Sequence, residues 1–226
     1  MKRLFVAIFL TALGTVAASA QQFGPAQYPV KADDGDLMTN HTLTPEQMTK
    51  LRALTGVVPV GNMNGDVTVM QWYDLNCPFC REAAQDVDAL LKSDKKLKLV
   101  FVPYAVLSVQ SVQGALIELG AAKLLTPEKY VDFHRNIYAQ RGTLDGPKTS
   151  NAVRMTGADP AEAAKLGNTE AMLNLLRTNA TFGGDIKMVG TPAYIINDVV
   201  IVGHPGLKGL QNVIAAVRKC GKVVCA

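Results

Sequence analysis

Two apolar runs flank an amphipathic stretch in the first half of the chain. Val67 to Leu75 and Leu97 to Val102 are largely apolar, as expected of strands buried within a sheet. Arg81 to Lys92, between them, has the pattern of a helix. Two strands joined through a helix run parallel with a right-handed crossover. The stretch therefore predicts a β-α-β unit around a buried sheet.

The pattern then turns helical and finally returns to strands. Turn signals such as Asp145-Gly146-Pro147 and Gly183-Gly184 separate the predicted helices. Those helices are Ser111–Leu124, Pro127–Gln140, Lys148–Met155, Pro160–Leu166 and Thr169–Thr181. Two strands, Ala193–Ile196 and Val199–Val202, follow with a turn at Asn197-Asp198, and a last helix covers Leu207 to Arg218. This order predicts an α/β fold with an inserted all-helical subdomain.

The first 20 residues have the pattern of a secretory signal. Lys2 and Arg3 precede an apolar centre, Leu4 to Leu13, and Ala18-Ser19-Ala20 forms a small-residue cleavage site. The apolar run is shorter than the roughly 20 residues that span a bilayer, and an uncleaved membrane anchor is the alternative. Cleavage predicts an exported chain in an oxidising compartment, with no membrane insertion afterwards.

Residues 21–56 form a polar, turn-rich arm ahead of the fold. One helix is predicted in it, Pro45 to Leu54, with Thr44 as the N-cap and Gln47 completing a capping box. The arm has too little apolar content to fold alone. It is either a leader, disordered or docked on the fold, or a segment through which subunits associate.

Composition sets further limits. The chain has 226 residues, 48% of them hydrophobic, a formal charge of +4 and four cysteines. It can build an ordinary core, and nothing in its charge suggests a nucleic-acid partner. We expect a fold domain from residues 57–107 and 186–219, a helical insertion from 108–185, and a tail from 220–226.

The most informative motif is Cys77-Pro78-Phe79-Cys80, directly after the first apolar run. Cys77 is expected at a helix N-terminus, where free N–H groups and the helix dipole stabilise an anion. Such a site lowers a cysteine pKa from about 8.5 into the range of about 3.5 to 7.5. Cys80, one turn further on, is the expected resolving thiol. A plain disulfide or half of a zinc site are the alternatives.

This motif and Gly190-Thr191-Pro192, which opens a later strand, together resemble a known family. They are similar to the thioredoxin fold with the helical insertion of the DsbA family of exported thiol-disulfide oxidoreductases, close to its copper-tolerance-linked branch. The resemblance covers about residues 57 to 219. It implies that Cys77 and Cys80 are catalytic, that Pro192 is cis, and that Thr191 and Pro192 bind an extended client peptide.

The chain departs from the family pattern in two places. Phe79 stands where strongly oxidising members have histidine, and Pro78 and Phe79 are expected to modulate the motif without adding charge. Gln71 stands where many thioredoxin-fold proteins keep a buried carboxylate. Asp74 is interpreted as a solvated loop acid, and Glu82 is a weak candidate for an assisting carboxylate. A Cys77 pKa below about 7 is the resulting hypothesis.

Cys220 and Cys225 lie close together at the C-terminus, which favours a disulfide between them. It is expected to be a structural staple, with a second redox pair or a metal clip as the alternatives. The histidines His41, His134 and His204 are expected at the surface, and no metal site is predicted. Scattered methionines, of which Met155, Met172 and Met188 fit core packing, leave copper binding by Cys77 and Cys80 as an alternative, provided that the pair is exposed.

The leading hypothesis is a periplasmic thiol-disulfide oxidoreductase, acting as an oxidase without a bound cofactor. Its partners would be protein clients with cysteines and a redox partner that recycles the CxxC pair. An isomerase or reductase is the alternative if residues 21–56 form an oligomer. A copper-binding or structural interaction module is the alternative from a different class.

Overall fold

The computed structural model describes residues 26–225, so the predicted signal sequence lies outside the described residues. The strands of this part are β1 (Asn40–Thr42), β2 (Val58–Gly61), β3 (Val67–Tyr73), β4 (Leu97–Pro103), β5 (Ala193–Ile196) and β6 (Val199–Val202). The helices are α1 (Pro45–Arg52), α2 (Pro78–Ser93), α3 (Val109–Ala121), α4 (Pro127–Ala139), α5 (Gly146–Met155), α6 (Pro160–Gly167), α7 (Glu170–Asp185) and α8 (Gly206–Cys220). None of the described helices is long and apolar enough to cross a membrane.

The strands form a single mixed sheet in the order β1-β6-β5-β3-β4-β2. β3 and β4 are parallel neighbours joined through α2, which confirms the predicted β-α-β unit. β5 and β6 form the predicted hairpin, with Asn197 at a positive φ of 56° in its turn. The remaining pairs are antiparallel. The predicted α/β fold with a helical insertion is therefore confirmed.

β3 divides its side chains between the two faces of the sheet, because successive residues of a strand point in opposite directions. Val69 and Tyr73 join the apolar core under α2 and α8. Met70 and Trp72 pack on the opposite face, in the core that includes residues of α1 and α7. By this alternation Gln71 lies on the α2 side, and it is buried. The strand therefore places a neutral amide beneath the helix that carries the CxxC motif.

The helical insertion is held together by backbone contact between α3 and α6. A Cβ added to Gly120 would lie 1.9 Å from Ala163 O, and one added to Gly167 would lie 1.9 Å from Leu116 O. Only glycine permits this approach at both positions. The insertion thus fixes the position of α3, which packs next to the β3–α2 loop.

Two glycine-containing signals were wrongly interpreted as turns. Gly183 continues α7 as far as Asp185, and it is a close-approach position because an added Cβ would meet the Tyr104 ring at 2.5 Å. Asp145 is the N-cap of α5, and Pro147 stands in the first turn of that helix. Proline and an N-cap acid begin a helix as readily as they form a turn, so local sequence alone does not separate the two.

The N-terminal arm contributes one edge strand and one helix to the fold. β1 pairs with β6 in an antiparallel register, with Asn40 opposite Ile201. Leu43 and Leu51 are buried in the core on that side. α1 begins with the predicted capping box of Thr44 and Gln47. Of the alternatives for the arm, docking on the fold is the one this packing matches, and β1 is a strand that sequence reasoning missed.

Candidate active site

The CxxC motif lies where β3 ends and α2 begins. Cys77 is the N-cap of α2, with extended backbone at φ −76° and ψ 122°, and Pro78 occupies the first turn. The Cys77 carbonyl accepts hydrogen bonds from the N–H groups of Cys80 and Arg81. No acidic residue stands in this first turn. The helix end therefore offers its positive dipole to the Cys77 sulfur without an opposing charge.

Asp74 holds the loop that precedes Cys77. Its Oδ1 accepts from Asn76 N at 2.8 Å and from Ser111 Oγ at 2.6 Å. Its Oδ2 accepts from Val106 N at 2.9 Å and Leu107 N at 3.0 Å. Asp74 is 1% exposed, so its interpretation as a solvated loop acid was wrong. Four donors from three segments satisfy the buried carboxylate, which fastens the active-site loop to α3 and to the β4–α3 loop.

The two thiols differ strongly in acidity. The pKa of Cys77 is lowered from 9.0 to about 6, first by the hydrogen bond from the Cys80 thiol, and further by hydrogen bonds from Thr191 and from the backbone of Cys80 and Phe79. Burial acts against this lowering. Burial is the main cause that raises the pKa of Cys80 far above its ordinary value, followed by the hydrogen bond with Cys77. The thiolate therefore forms on Cys77, in agreement with the hypothesis of a pKa below about 7.

The Thr191–Pro192 peptide bond is cis, and this segment lies beside Cys77. The Cys77 thiol donates to Thr191 O at 3.1 Å. Thr191 is half-buried, whereas Pro192, immediately before β5, is buried. The structure thus brings Cys77, Cys80, Thr191 and Pro192 together at the end of the sheet where β3 ends and β5 begins. Their roles remain predictions.

The other predicted modulators differ in position. Pro78 and Phe79 are exposed, and Phe79 has 62% of its surface accessible. Glu82 is exposed on α2 and has no hydrogen bond or ion pair within residues 26–225. Gln71 is 2% exposed, and its Oε1 has no hydrogen-bond partner among the described residues. Neither Glu82 nor Gln71 provides a carboxylate beneath the motif.

A buried carboxylate does lie behind the motif, and sequence reasoning missed it. Glu118 of α3 is 0% exposed. Tyr73 donates to its Oε1 at 2.5 Å and Tyr130 at 2.7 Å. Ser111, Gly114 and Glu118 share one face of α3, and an acid on an otherwise small and apolar face was the signal that could have revealed it.

The second cysteine pair lies at the other end of the sheet. Cys220 and Cys225 form a disulfide after α8. Nearby, Arg218 bridges Asp66, just before β3, and Asp94, just after α2. Cys77, in contrast, follows the end of β3. The two pairs are therefore separated by the length of the β-α unit.

Several expectations about isolated side chains need correction. His134 is 5% exposed and stacks on Phe101, so it is not a surface histidine. Met155 is 57% exposed and does not pack in the core, whereas Met172 and Met188 are buried as expected. Within residues 26–225 no group of three or more His, Cys, Asp or Glu side chains could hold a metal ion.

The copper alternative required an exposed CxxC pair. Cys77 is 5% exposed and Cys80 is 1% exposed, so the structure removes that premise. Both cysteines are free thiols. The pair instead has the unequal acidity that thiol-disulfide exchange uses.

The fold and the paired thiols define a thioredoxin-fold protein with a CxxC site. The family described as Thioredoxin matches residues 53–216, and the chain belongs to this thioredoxin family. A search of curated proteins found no match.

Solved structures share the fold. A thioredoxin-like oxidoreductase from Silicibacter pomeroyi has a TM-score of 0.68 at 24% identity, covering 76% of this chain and 97% of that chain. The thiol-disulfide exchange protein alpha-DsbA2 from Wolbachia pipientis has a TM-score of 0.68 at 24% identity, covering 76% and 92%. The catalytic domain of Proteus mirabilis ScsC has a TM-score of 0.66 at 18% identity, covering 78% and 96%. The resemblance to DsbA-like proteins seen in the sequence is confirmed for the fold.

Proposed function

We propose that this protein is an exported thiol-disulfide oxidoreductase that oxidises client proteins. The observation that carries the proposal is the unequal pair at the start of α2, in which Cys77 has a pKa of about 6 while Cys80 stays protonated. A stabilised Cys77 thiolate favours the reduced form of the pair, and a pair that favours reduction oxidises others. The solved structures with this fold, which include a thiol-disulfide exchange protein, support the proposal.

The reaction takes two exchanges. A client thiolate attacks the Cys77 sulfur of the Cys77–Cys80 disulfide, and the bonding pair leaves on Cys80, which takes up a proton. The client's second thiolate then attacks the client sulfur of this mixed disulfide, and Cys77 leaves as a thiolate. The client has lost two electrons and gained a disulfide, while the protein holds a dithiol. A separate redox partner restores the Cys77–Cys80 disulfide, and no organic cofactor takes part.

Exposed apolar side chains support unfolded proteins as the clients. Phe79, Leu107, Val109 and Val189 are each more than half exposed. Phe79 belongs to the CxxC motif, Leu107 and Val109 to the segment that follows β4, and Val189 to the segment before Thr191. All three segments lie at the end of the sheet where β3 ends and Cys77 follows. Exposed apolar side chains around the redox motif would suit it to binding the apolar segments of unfolded clients. The Thr191 backbone would align an extended client strand beside Cys77.

A cleft next to the motif adds room for a client. It has a volume of about 570 Å³ and separates the CxxC turn from the helical insertion. Its lining includes Asn76, Pro78, Arg81, Leu107, Ser108 and Thr143. In this proposal the residue 108–185 insertion forms one wall of the client site and the thioredoxin-like part, residues 57–107 and 186–219, forms the other.

The packing of the arm favours oxidase over isomerase. The isomerase alternative assigned residues 21–56 to subunit association. In this segment, β1 instead pairs with β6 of the same chain, and α1 packs in the core of the same chain. Periplasmic export through residues 1–20 completes the proposal, and Cys220–Cys225 acts as a structural staple.

The equilibrium reduction potential of Cys77–Cys80 against glutathione tests the proposal. We expect a value nearer to about −120 mV, as in DsbA, than to about −270 mV, as in thioredoxin. The measurement uses the mature protein and a C220S/C225S variant, so that the second pair does not contribute. A value at or below about −270 mV would reject the oxidase role in favour of a reductase or a structural pair.

A further inference from the structure

The cleft beside the CxxC motif has a cationic wall without an acid. Its volume is about 570 Å³, and Asn76 and Pro78, the chain neighbours of Cys77, line it. Arg81 of α2 lines it too, whereas no aspartate or glutamate of residues 26–225 does. A cleft lined by charge of one sign attracts a ligand of the opposite sign. The cleft is therefore a candidate subsite for an anionic part of a client.

The Arg81 side chain is held in place by neutral groups. Its Nη1 donates to the carbonyls of Tyr138 and Gln140 at the C-terminal end of α4, and its Nη2 has one long contact, 3.5 Å, with Gly142 O. Its Cζ lies 5.8 Å from the centroid of the Tyr138 ring. The end of α4 contributes partial negative charge but no formal charge. The guanidinium is thus fixed in position, and its charge has no carboxylate partner within the described residues.

Part of the Arg81 guanidinium remains open. An arginine carries five N–H donors in a planar fork. The Nε of Arg81 has no acceptor in the described part of the chain, and its Nη2 has only the long contact with Gly142. Nε and Nη2 lie on the same side of a guanidinium, and two such N–H groups bind the two oxygens of one carboxylate. Arg81 therefore has an unused pair of donors that matches a carboxylate.

The loop between α4 and α5 adds two cations near the same cleft. Lys148 Nζ donates to Arg141 O. A Cβ added to Gly142 would lie 3.2 Å from the same Nζ, and Gly142 lines the cleft. Arg141 is exposed, and its side chain has no ion pair within residues 26–225. The positive charge of the wall is therefore not limited to Arg81.

The acids nearest to the cleft along the chain do not line it. Asp74 is buried, and both of its oxygens already accept hydrogen bonds from the protein. Asp145 caps α5, where its Oδ1 accepts from Lys148 N at 3.0 Å. Glu82 is exposed on α2. None of the three contacts the Arg81 guanidinium, so its open donors are available to a ligand.

We propose that Arg81 selects client segments that carry an acidic residue close to the cysteine being exchanged. This rests on the proposed function. Cys77 and Arg81 are one helical turn apart, since Arg81 N donates to Cys77 O at 3.2 Å. In an extended client, a side chain two positions from the cysteine is displaced by about 6.6 Å, close to the ~5.4 Å of one helical turn. Its carboxylate accepts from Nε and Nη2 of Arg81.

The test is single-turnover oxidation of two dithiol peptides by the oxidised mature protein. The peptides are identical except that the residues flanking both cysteines are Glu in one and Gln in the other. Rates measured against peptide concentration give an apparent dissociation constant and a limiting rate. A neighbouring Glu also changes the ionisation of the peptide thiol. The quantity tested is therefore the Glu/Gln rate ratio of wild type divided by that of R81M, in which this property cancels.

We expect the Glu/Gln ratio to be about fivefold higher in wild type than in R81M, as for an ion pair in an open cleft. The difference should lie in the apparent dissociation constant and not in the limiting rate, because the carboxylate contact is made before and during exchange. It should fall towards one in about 0.5 M salt, where exposed charges are screened. A purely structural role of Arg81 would change both peptides equally and leave the ratio unmoved.

Arg81 also holds the end of α4, so a second variant leaves it in place. Q110E adds a carboxylate to the cleft from an exposed position in the first turn of α3, where a helix tolerates an acid. The Glu/Gln ratio should fall about threefold, because the new charge competes for Arg81 and repels the client acid. Q211E is the matched control, since Gln211 is exposed on α8 outside the cleft lining, and its ratio should follow wild type.

The outcomes separate the two proposals. Failure of wild type to oxidise either peptide would reject the proposed function itself. Oxidation of both peptides with the same Glu/Gln ratio in wild type, R81M and Q110E would overturn selection by Arg81 alone. A fall in Q211E as large as that in Q110E would also overturn it, because the preference would then follow the overall charge of the protein.

Discussion

The two cysteine pairs lie at opposite kinds of helix end: one pair is at the N-terminus of α2 and the other at the C-terminus of α8. Cys77 precedes the first turn of α2, whereas Cys220 is the last residue of α8. Cys77 and Cys80 are buried free thiols, while Cys220 is exposed and bonded to Cys225. A helix N-terminus stabilises negative charge and a helix C-terminus disfavours it.

The comparison shows that position decides the chemistry of a cysteine. The helix end and local hydrogen bonds support a thiolate on Cys77, which in the proposed function favours reduction of the first pair. The Cys220 sulfur instead lies at the C-terminus of α8, where the negative end of the helix dipole disfavours a thiolate. The second pair therefore has reason to stay oxidised. Each prediction below tests one part of this difference.

The largest expected effect is the loss of exchange activity in C77S. Without its sulfur no mixed disulfide forms, so oxidation of a dithiol peptide should fall to the background rate. The C220S/C225S double variant should retain the wild-type rate, because that pair lies at the far end of the sheet. Substantial loss in the double variant would show that the second pair takes part in exchange.

The next effect concerns pH. Cys77 alkylation by iodoacetamide should rise with a midpoint near pH 6, well below its ordinary pKa of 9.0. Because this pKa is lowered in the folded state, the thiolate stabilises the folded reduced protein fully above pH 9. That stabilisation is lost as the pH falls through 6.

Denaturation of the reduced and oxidised forms across this range measures the same linkage. The reduced form should gain stability relative to the oxidised form between pH 6 and pH 9. A midpoint above pH 8 in the alkylation experiment would contradict the assignment of the thiolate to Cys77.

Removal of the terminal disulfide should lower the free energy of unfolding by about 2 kcal/mol, since the bond closes a loop with a sequence separation of only 5. Urea denaturation of wild type and C220S/C225S measures it. R218A is a useful comparison, because its solvent-accessible ion pairs with Asp66 and Asp94 should contribute less than the disulfide. An R218A effect larger than that of the disulfide would assign the anchoring of α8 to the ion pairs.

A smaller shift is expected from a charge next to Cys77. F79H places an imidazole at the exposed position of Phe79, and its protonated form should lower the Cys77 pKa by about half a unit. F79E should raise the pKa by a similar amount. Titration of the thiolate absorbance in both variants measures the two Cys77 pKa values. If both variants shift the Cys77 pKa in the same direction, the cause is not electrostatic.

The smallest effect is expected at Glu82. This side chain is exposed and lacks a partner within the described residues, so E82Q should leave the exchange rate unchanged within error. Single-turnover oxidation at several pH values checks this. A slower rate in E82Q would restore Glu82 as the assisting carboxylate.

The sequence predicted what local patterns determine. Apolar runs located β3 and β4, capping signals located α1, and the CxxC spacing located the thiols. The burial of Asp74 was not predictable in this way, because its donors include Ser111 and Val106, more than 30 positions away. Glu118 had one local signal, its place on a small and apolar face of α3, but its contact with Tyr73 depends on the packing of α3 against β3.

Strand β1 was also not predicted, because its three residues have mixed polarity and carry no local strand signal. They form a strand because they pair with β6. Its pairing with β6 joins two distant parts of the chain, since Asn40 lies opposite Ile201. Without β1, strand β6 would be the edge of the sheet, with a row of unpaired backbone N–H and C=O groups. The arm therefore covers an edge that could otherwise pair with the extended segments of unfolded chains.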